Sequence, residues 1–195
     1  MPVEAELKAR VRVPGAVERG LGERAVARVE VYRDTYYDRV GGELGRGDEE
    51  LRIRTVEGVG GRRTVLTWKG AAVDEASGSK PEYETEVADA EAAHAILRGL
   101  GYVVWIAFEK RCRNYEFTAY GREMLATLVE VPELEGTFLE VETLVEEAEL
   151  GAALEDVRAV MGELGIGAGE LTTETYTGAV AERRGRGASG GGGGA

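Results

Sequence analysis

Apolar and polar residues alternate at two-residue spacing through much of the chain, the pattern of β-strands with one buried face. In the first such segment, residues 2–12, Glu4, Glu6 and Lys8 alternate with apolar side chains. Seven further segments are bounded by glycine or short polar turns: 28–38, 50–56, 62–69, 82–88, 102–118, 122–131 and 137–145. The pattern therefore predicts eight strands, most of them antiparallel.

Helical spacing of apolar residues is rarer. It predicts helices over residues 14–27, over 89–99 and over 149–164, with a short fourth helix near 172–181. Residues 182–195 are rich in glycine and arginine and cannot bury apolar surface, so we expect a disordered tail there. Residues 1–181 are predicted to form a single domain.

Eight strands and few helices predict a mainly β (α+β) fold, an eight-stranded antiparallel closed β-barrel with flanking helices. In several strands, the residues of one face are mostly charged. These charged residues are Glu4, Glu6, Lys8, Arg52, Arg54, Lys69, Glu82, Glu84, Glu86, Glu140 and Glu142. For any one strand, a face turned to water is the simpler interpretation. The strands considered together favour a different arrangement. The apolar stripes of the helices would pack on the apolar faces of the strands, and the charged faces would then point into a polar tunnel.

Composition narrows the choice of ligand. The chain has 195 residues, a net charge of −12 and one cysteine. This charge disfavours nucleic acid and anionic membranes as partners, and a single cysteine excludes an internal disulfide. We see neither an apolar run of about 18 residues nor a leader, and so expect a cytoplasmic protein. A polyanionic ligand would need a local cluster of basic residues whose attraction exceeds the repulsion from the net negative charge of the protein.

Both charge signs on one tunnel wall indicate a metal-bound phosphate ligand. Carboxylates spaced as Glu-x-Glu supply the hard oxygen ligands that Mg²⁺ or Mn²⁺ accepts, with water and phosphate oxygens completing the shell. Arginine and lysine supply donors for phosphate oxygens. A metal-bound triphosphate matches this combination.

These motifs resemble the CYTH superfamily of triphosphate tunnel enzymes, which includes class IV adenylate cyclases, thiamine triphosphatases and inorganic triphosphatases. The resemblance begins at "VEAELKARV" and covers residues 2 to about 181. It continues in order through "DTYYD" at 34–38, "LRIR" at 51–54, "LTWKG" at 66–70, "KPEYETEV" at 80–87, "FEKRCRNY" at 108–115, "GTFLEVET" at 136–143 and "TETYTGAV" at 173–180. The resemblance implies a tunnel that binds a triphosphate on basic side chains and a divalent metal on glutamates.

Residue roles follow by position in these motifs. The implied metal ligands, for Mg²⁺ or Mn²⁺, are Glu4, Glu6, Glu140 and Glu142. The implied triphosphate-binding residues are Lys8, Arg52, Arg54, Lys69, Lys80, Lys110, Arg111 and Arg113, of which Lys8, Lys69 and Lys110 are the candidate catalytic residues.

The chain departs from the family pattern at three places. The sixth strand often carries Lys-x-Arg, whereas Cys112 follows Lys110 at that spacing, so a second cation is either missing or supplied by Arg111 or Arg113 through a bulge. Val129 stands where relatives often have an aspartate, and Lys80 where an arginine is frequent.

We expect a class IV adenylate cyclase, a lyase that converts ATP to cyclic AMP and pyrophosphate. A thiamine or inorganic triphosphatase is the alternative, because it would use the same tunnel. A non-catalytic triphosphate or polyphosphate binder is the second alternative, and a homodimer stays open.

Overall fold

The computed structural model describes residues 2–74 and 76–189, and their eight strands form one closed antiparallel barrel. The strands are β1 (Pro2–Val11), β2 (Arg28–Arg39), β3 (Glu50–Gly58), β4 (Gly61–Lys69), β5 (Lys80–Glu86), β6 (Tyr102–Ala119), β7 (Arg122–Glu130) and β8 (Thr137–Glu146). Around the barrel they follow the order β1-β5-β4-β3-β2-β6-β7-β8. The predicted closed barrel is confirmed, and each predicted strand is present within a few residues of its expected limits.

β1 closes the barrel by pairing with β8 on one side and β5 on the other, and the two ladders differ in length. Its ladder with β8 runs from Pro2 to Val11, whereas its ladder with β5 contains only the pairs Val3 with Pro81 and Glu4 with Lys80. Beyond this short ladder, the edge of β1 is covered by another part of the chain, because the Thr172 amide donates to the Lys8 carbonyl at 2.9 Å. Residues 171 and 172 thus take the place that β5 leaves beside the second half of β1.

Helices flank the barrel, and the last one along the chain places Tyr176 and Val180 inside it. The helices are α1 (Pro14–Gly22), α2 (Glu43–Arg46), α3 (Ala90–Gly99), α4 (Leu150–Glu163) and α5 (Tyr176–Ser189). The apolar stripe of α4, including Val157 and Val160, packs against the outward residues of β1, including Ala5 and Leu7. α3 lies over β3 and β6, with Leu97 against Ile53. The apolar faces of the strands are therefore the ones that the helices cover, which leaves their charged faces inside.

Two helices differ from the sequence prediction. α1 ends at Gly22 rather than at residue 27, and α5 continues to Ser189, past the domain limit predicted at 181. The extension is anchored by Arg184, which donates to both carboxylate oxygens of Glu133 at 2.7 Å and to the Ala107 carbonyl at 2.8 Å. The remainder of the expected tail, residues 190–195, lies outside the described residues. Within the described residues, no helix combines the length and apolarity needed to span a membrane.

The interior of the barrel combines a charged cavity with an apolar cluster. On the side of β6 and β7, inward residues such as Phe108, Cys112 and Val129 form an apolar cluster with Phe138 of β8 and Val180 of α5. The charged residues of β1, β3, β4, β5 and β8 face the other side. The expected hollow polar centre therefore occupies part of the lumen, and apolar packing fills the rest.

The outer face of β1 provides a test of this arrangement. We expect Leu7→Ala to lower the free energy of unfolding by about 3 kcal/mol, because it leaves a cavity under α4. The measurement is urea unfolding followed by circular dichroism. Val13→Ala, at a residue that is 64% exposed, is the matched control and should change stability by less than about 0.5 kcal/mol. Equal effects of the two substitutions would contradict the assigned orientation of β1.

Candidate active site

A cavity of about 450 Å³ occupies the polar side of the barrel. Inward residues of every strand except β7 line it, together with residues 172–177 at the start of α5. The chain contains four lysines, and all four line this cavity: Lys8, Lys69, Lys80 and Lys110. All four proposed metal ligands, Glu4, Glu6, Glu140 and Glu142, line it as well. The alternation of each strand is what brings these side chains together.

Three of those glutamates form a compact oxygen cluster. Glu4, Glu6 and Glu142 each offer a carboxylate oxygen, and these oxygens lie within 4.8 Å of one another. Glu6 and Glu142 are direct partners across the β1–β8 ladder. Like charges in directly opposed positions destabilise a sheet. The register of the barrel therefore holds two carboxylates in a position that costs stability unless a cation lies between them.

Glu6 and Glu142 respond to this position by retaining protons. Burial, followed by the charges of Glu140 and Glu4, raises the pKa of Glu6 to about 8. Burial together with the charges of Glu4 and Glu6 raises the pKa of Glu142 well above its usual range. The cluster has the donor set and the charge surplus that a divalent cation requires.

Glu4 differs from its two neighbours because Lys69 lies beside it. Burial opposes its ionisation, but the Lys69 ammonium, which donates a hydrogen bond to the Glu4 carboxylate, outweighs burial and lowers the pKa of Glu4. Lys69 also lies 3.4 Å from Glu82. Burial and the charge of Glu4 raise the pKa of Glu82 to about 7. Lys69 thus links the metal-side cluster to the acidic strand β5.

Arg52 and Arg54 form the β3 wall of the cavity and are held in different ways. Arg54 makes a bidentate ion pair with buried Asp34, with distances of 2.7 and 2.8 Å. Burial opposes ionisation of Asp34, but Arg54 keeps the pKa of this carboxyl below its usual range. Arg52 donates to the Thr67 hydroxyl at 3.2 Å, while its buried Nε has no hydrogen-bond partner among the described residues. The guanidinium of Arg52 also lies 4.0 Å from Glu82 and 3.9 Å from Glu84.

Lys8 and Lys110 approach the cavity from opposite strands and share Glu140. Lys8 is the cross-strand partner of Glu140, and the Lys110 ammonium lies 3.9 Å from the Glu140 carboxylate. Burial opposes ionisation of Glu140, but Lys110 and then Lys8 lower its pKa. Glu140 does not belong to the compact oxygen cluster formed by Glu4, Glu6 and Glu142. It faces the two lysines, while its charge also acts on Glu6.

Lys80 lies at the rim of the cavity. Its ammonium donates to the backbone carbonyl of Asp48 at 2.8 Å, to the Asp48 carboxylate at 2.9 Å and to Glu50 at 3.1 Å. These three bonds use the whole donor capacity of a lysine. Lys80 therefore links β5 to Asp48 and Glu50 at the start of β3. None of its N–H donors is left free for a ligand in the cavity.

Arg111 and Arg113, both predicted as substrate-binding, lie on the outside of the barrel. Arg113 pairs with Glu18 of α1, and Arg111 approaches Glu109 at 3.5 Å. The ladders that β6 forms through residues 111–114 contain no irregularity, so no bulge turns either arginine inward. Cys112 takes the inward position and is the cross-strand partner of Val129. Cys112 and Val129, the departures from the family pattern on β6 and β7, therefore contact each other and form one apolar pair.

The predicted site lacked three residues that shape it, one behind the cavity wall and two in the wall itself. Asp34, which anchors Arg54, stands in the quoted "DTYYD" motif, and its spacing from Tyr32 and Tyr36 on an alternating strand was the available signal. Arg63 shares the inward parity of Lys69 on β4 and lines the cavity. Tyr176 enters from α5, and no strand periodicity could reveal that placement.

Comparisons with known proteins agree with this geometry. A protein from Methanocaldococcus jannaschii named "putative adenylate cyclase" is 25% identical over 144 residues, which are 73% of this chain and 77% of that protein. A solved protein from Pyrococcus horikoshii OT3 superimposes with a TM-score of 0.79 at 29% identity, covering 93% of this chain and 99% of the other.

A more distant structure has the same fold. It is a Hippeastrum protein described as a "putative adenylyl cyclase" with a dominant triphosphatase activity, with a TM-score of 0.63 and 19% identity. The match covers 93% of this chain and 96% of that one. The model of the CYTH domain matches residues 3–176, nearly the whole described barrel. The chain therefore belongs to the CYTH domain family.

Proposed function

We propose that this protein is a divalent-metal-dependent enzyme acting on a triphosphate, and that its activity is that of a class IV adenylate cyclase. The observation that carries the proposal is the cavity in which a three-glutamate cluster faces a set of lysines and arginines. A volume of about 450 Å³ is typical of small-molecule sites. The name of the M. jannaschii relative supports the choice of cyclase.

The metal side of the proposal rests on Glu4, Glu6 and Glu142. Their oxygens lie close enough to share one ion, and burial together with the charges of neighbouring carboxylates raises the pKa of Glu6 and of Glu142. Mg²⁺ or Mn²⁺ is the matching cation, because both accept carboxylate oxygens and leave positions for water and phosphate. When bound, such an ion would neutralise charge on the phosphates during transfer.

The phosphate side rests on cations with free donors. Arg52, Lys8 and Lys110 point ammonium or guanidinium groups into the cavity, and Arg54 retains the donors that Asp34 does not use. These side chains would hold the chain of phosphates in an extended line beside the glutamate cluster, which sets the attacking oxygen in line with the leaving group. Positioning and charge neutralisation account for most of the catalysis expected in such a site.

In the cyclase reaction, the ribose 3′-oxygen forms a bond to the α-phosphorus of ATP. The bond from that phosphorus to the bridging oxygen of the β-phosphate breaks, and pyrophosphate leaves. The hydroxyl proton passes to solvent or to the pyrophosphate. The products are cyclic AMP and pyrophosphate.

A triphosphatase acting on thiamine triphosphate or inorganic tripolyphosphate is the second candidate. Water would attack the terminal phosphorus and release orthophosphate from the same set of cations. The triphosphatase activity described for the Hippeastrum relative favours this candidate. A non-catalytic binder of triphosphate or polyphosphate is the third, because Cys112 and Val129 place an apolar pair where the family often has charged residues.

Parallel assays distinguish these activities. With Mg²⁺ or Mn²⁺ and ATP, thiamine triphosphate or tripolyphosphate, we expect cyclic AMP and pyrophosphate from ATP, resolved by chromatography. Orthophosphate without cyclic AMP would overturn the cyclase assignment in favour of the triphosphatase. Saturable binding without turnover of any of the three would favour the binder.

Glu6→Gln tests the metal assignment in the same assays. It keeps the size of the side chain but removes one ligand charge, so we expect turnover to fall at least about 100-fold while the circular dichroism spectrum stays unchanged. Undiminished activity would remove Glu6 from the site.

The raised pKa values predict how pH affects stability without metal. Glu6 and Glu82 bind protons more tightly in the folded than in the unfolded protein, so their contribution is complete below about pH 4.5 and is lost as pH rises towards 8. We therefore expect the melting temperature in EDTA to fall between pH 5 and pH 8. Saturating Mn²⁺ should offset this loss at pH 8, by about 2.7 kcal/mol at 100 times Kd.

Differential scanning fluorimetry with and without Mn²⁺ measures this effect. Glu6→Gln is the control, since the variant lacks one titrating ligand and should show both a smaller fall with pH and a smaller gain from Mn²⁺. A metal-free melting temperature that stays level to pH 8, together with no response to Mn²⁺, would argue against a metal site.

Neighbouring residues on β6 test the phosphate side. Lys110→Ala removes a buried ammonium that faces the cavity, and we expect the Kd for tripolyphosphate to rise at least about tenfold. Arg111→Ala removes a charge from the outer face of the same strand and should leave that Kd within about twofold. Isothermal titration calorimetry gives both values. Equal losses would mean that the overall charge, rather than the cavity, determines binding.

A further inference from the structure

Two tunnel lysines rest on one aromatic ring. The ring belongs to Tyr176, the first residue of α5. The Lys8 Nζ lies 4.7 Å from the ring centroid and the Lys110 Nζ lies 4.5 Å from it. Both distances are within the range of cation–π attraction, which becomes stronger where water is excluded. Tyr176 is only 7% exposed, so this contact is largely desolvated.

The position of the ring is determined by α5 and by the apolar half of the lumen. Tyr176 makes an edge-to-face contact with Phe138, with ring centroids 5.2 Å apart, and Val180 follows one turn later in the same cluster. The hydroxyl of Thr175 accepts from the Gly178 amide at 3.1 Å and so caps the start of the helix. The ring is therefore a fixed support for the lysines.

The Tyr176 hydroxyl is buried and interacts with the carboxylate of Glu140. Burial and the charge of Glu140 raise the pKa of Tyr176 well above its usual range, so the phenol keeps its proton. Glu140 is also the carboxylate nearest to Lys110. A neutral ring thus lies between two ammonium groups and the one carboxylate that serves them.

Cations of this cavity are held in two chemically different ways. Lys69 and Lys80 donate to carboxylates, and these bonds occupy N–H groups that a phosphate would need. An aromatic face attracts the charge of an ammonium group but offers no lone pair comparable to a carboxylate oxygen. Lys8 and Lys110 can therefore be held in place while most of their N–H donors remain free.

We propose that Tyr176 is a positioning residue that holds Lys8 and Lys110 at the separation and orientation in which both bind phosphate oxygens of the substrate. This inference rests on the proposed function, since it assigns the two lysines to a triphosphate. It makes the C-terminal helix part of the active site. Tyr176 acts through the lysines and need not touch the reacting atoms itself.

Two substitutions separate the ring from the hydroxyl. Tyr176→Phe keeps the ring, and we expect the Kd for tripolyphosphate to stay within about twofold of wild type. Tyr176→Leu fills similar space without a π-system, and we expect the Kd to rise about tenfold. Isothermal titration calorimetry in EDTA and in Mn²⁺ measures both. Tyr176→Met repeats the second test if the leucine variant does not fold.

Phe117→Leu is the matched control. Phe117 is buried on the outer side of the barrel, and the Arg24 guanidinium lies 5.5 Å from its ring centroid. Its replacement also removes a ring beneath a cation, but it should lower only the melting temperature and leave the tripolyphosphate Kd unchanged. This comparison distinguishes a loss of positioning from a general loss of stability.

A double-mutant cycle gives a readout that a merely structural role would not change. In a Lys8→Met, Lys110→Met background, Tyr176→Leu should weaken binding by less than twofold, because the groups through which it acts are absent. A full tenfold loss in that background would overturn the positioning role. Wild-type affinity in the Tyr176→Leu single variant would overturn it too. Failure of the wild-type protein to bind tripolyphosphate would overturn the proposed function, and this inference with it.

Discussion

The organisation of the interior depends on the β1–β8 register, which places Glu6 directly opposite Glu142. Two carboxylates held in this way repel each other, and burial removes the water that would otherwise screen them. The fold tolerates the arrangement by leaving both carboxyls with raised pKa values and by placing Lys69 against Glu4. The strain is local, and a cation bound as proposed would relieve it. A site of this kind makes the metal-free protein less stable and gives it a higher affinity for a cation.

The same constraint explains why half of the lumen is apolar. A barrel of eight strands filled entirely with charge would bury more unpaired groups than the available ion pairs could balance. The contact between Cys112 and Val129, extended by Phe108 and Phe138, converts one side of the interior into an ordinary core. That core supports α5 and keeps the charged cavity narrow. The residues that depart from the family pattern therefore contribute to packing.

The sequence was sufficient to predict most of the barrel, because alternation reports which residues share a face. It placed Glu4, Glu6 and Lys8 inside and predicted the α4 stripe that covers β1. Alternation along a strand shows which side chains point inward but not which part of the interior they reach. Lys110 and Cys112 both point inward, yet Lys110 lines the cavity and Cys112 lies in the apolar cluster. Nor could it place Tyr176, because a helix that enters a barrel has no register with the strands.

Lysine usage provides an independent argument for where the chemistry lies. The chain has 24 basic residues, of which four are lysines and the other 20 are arginines, and every lysine lines the cavity. An ammonium is a compact point charge on a flexible stem, whereas guanidinium is a planar fork suited to paired acceptors. Arginine therefore serves surface ion pairs such as Arg122 with Asp156 and Arg184 with Glu133. In the cavity the four lysines lie beside Arg52, Arg54 and Arg63, and an aromatic ring such as that of Tyr176 can hold an ammonium group in place without using its N–H donors.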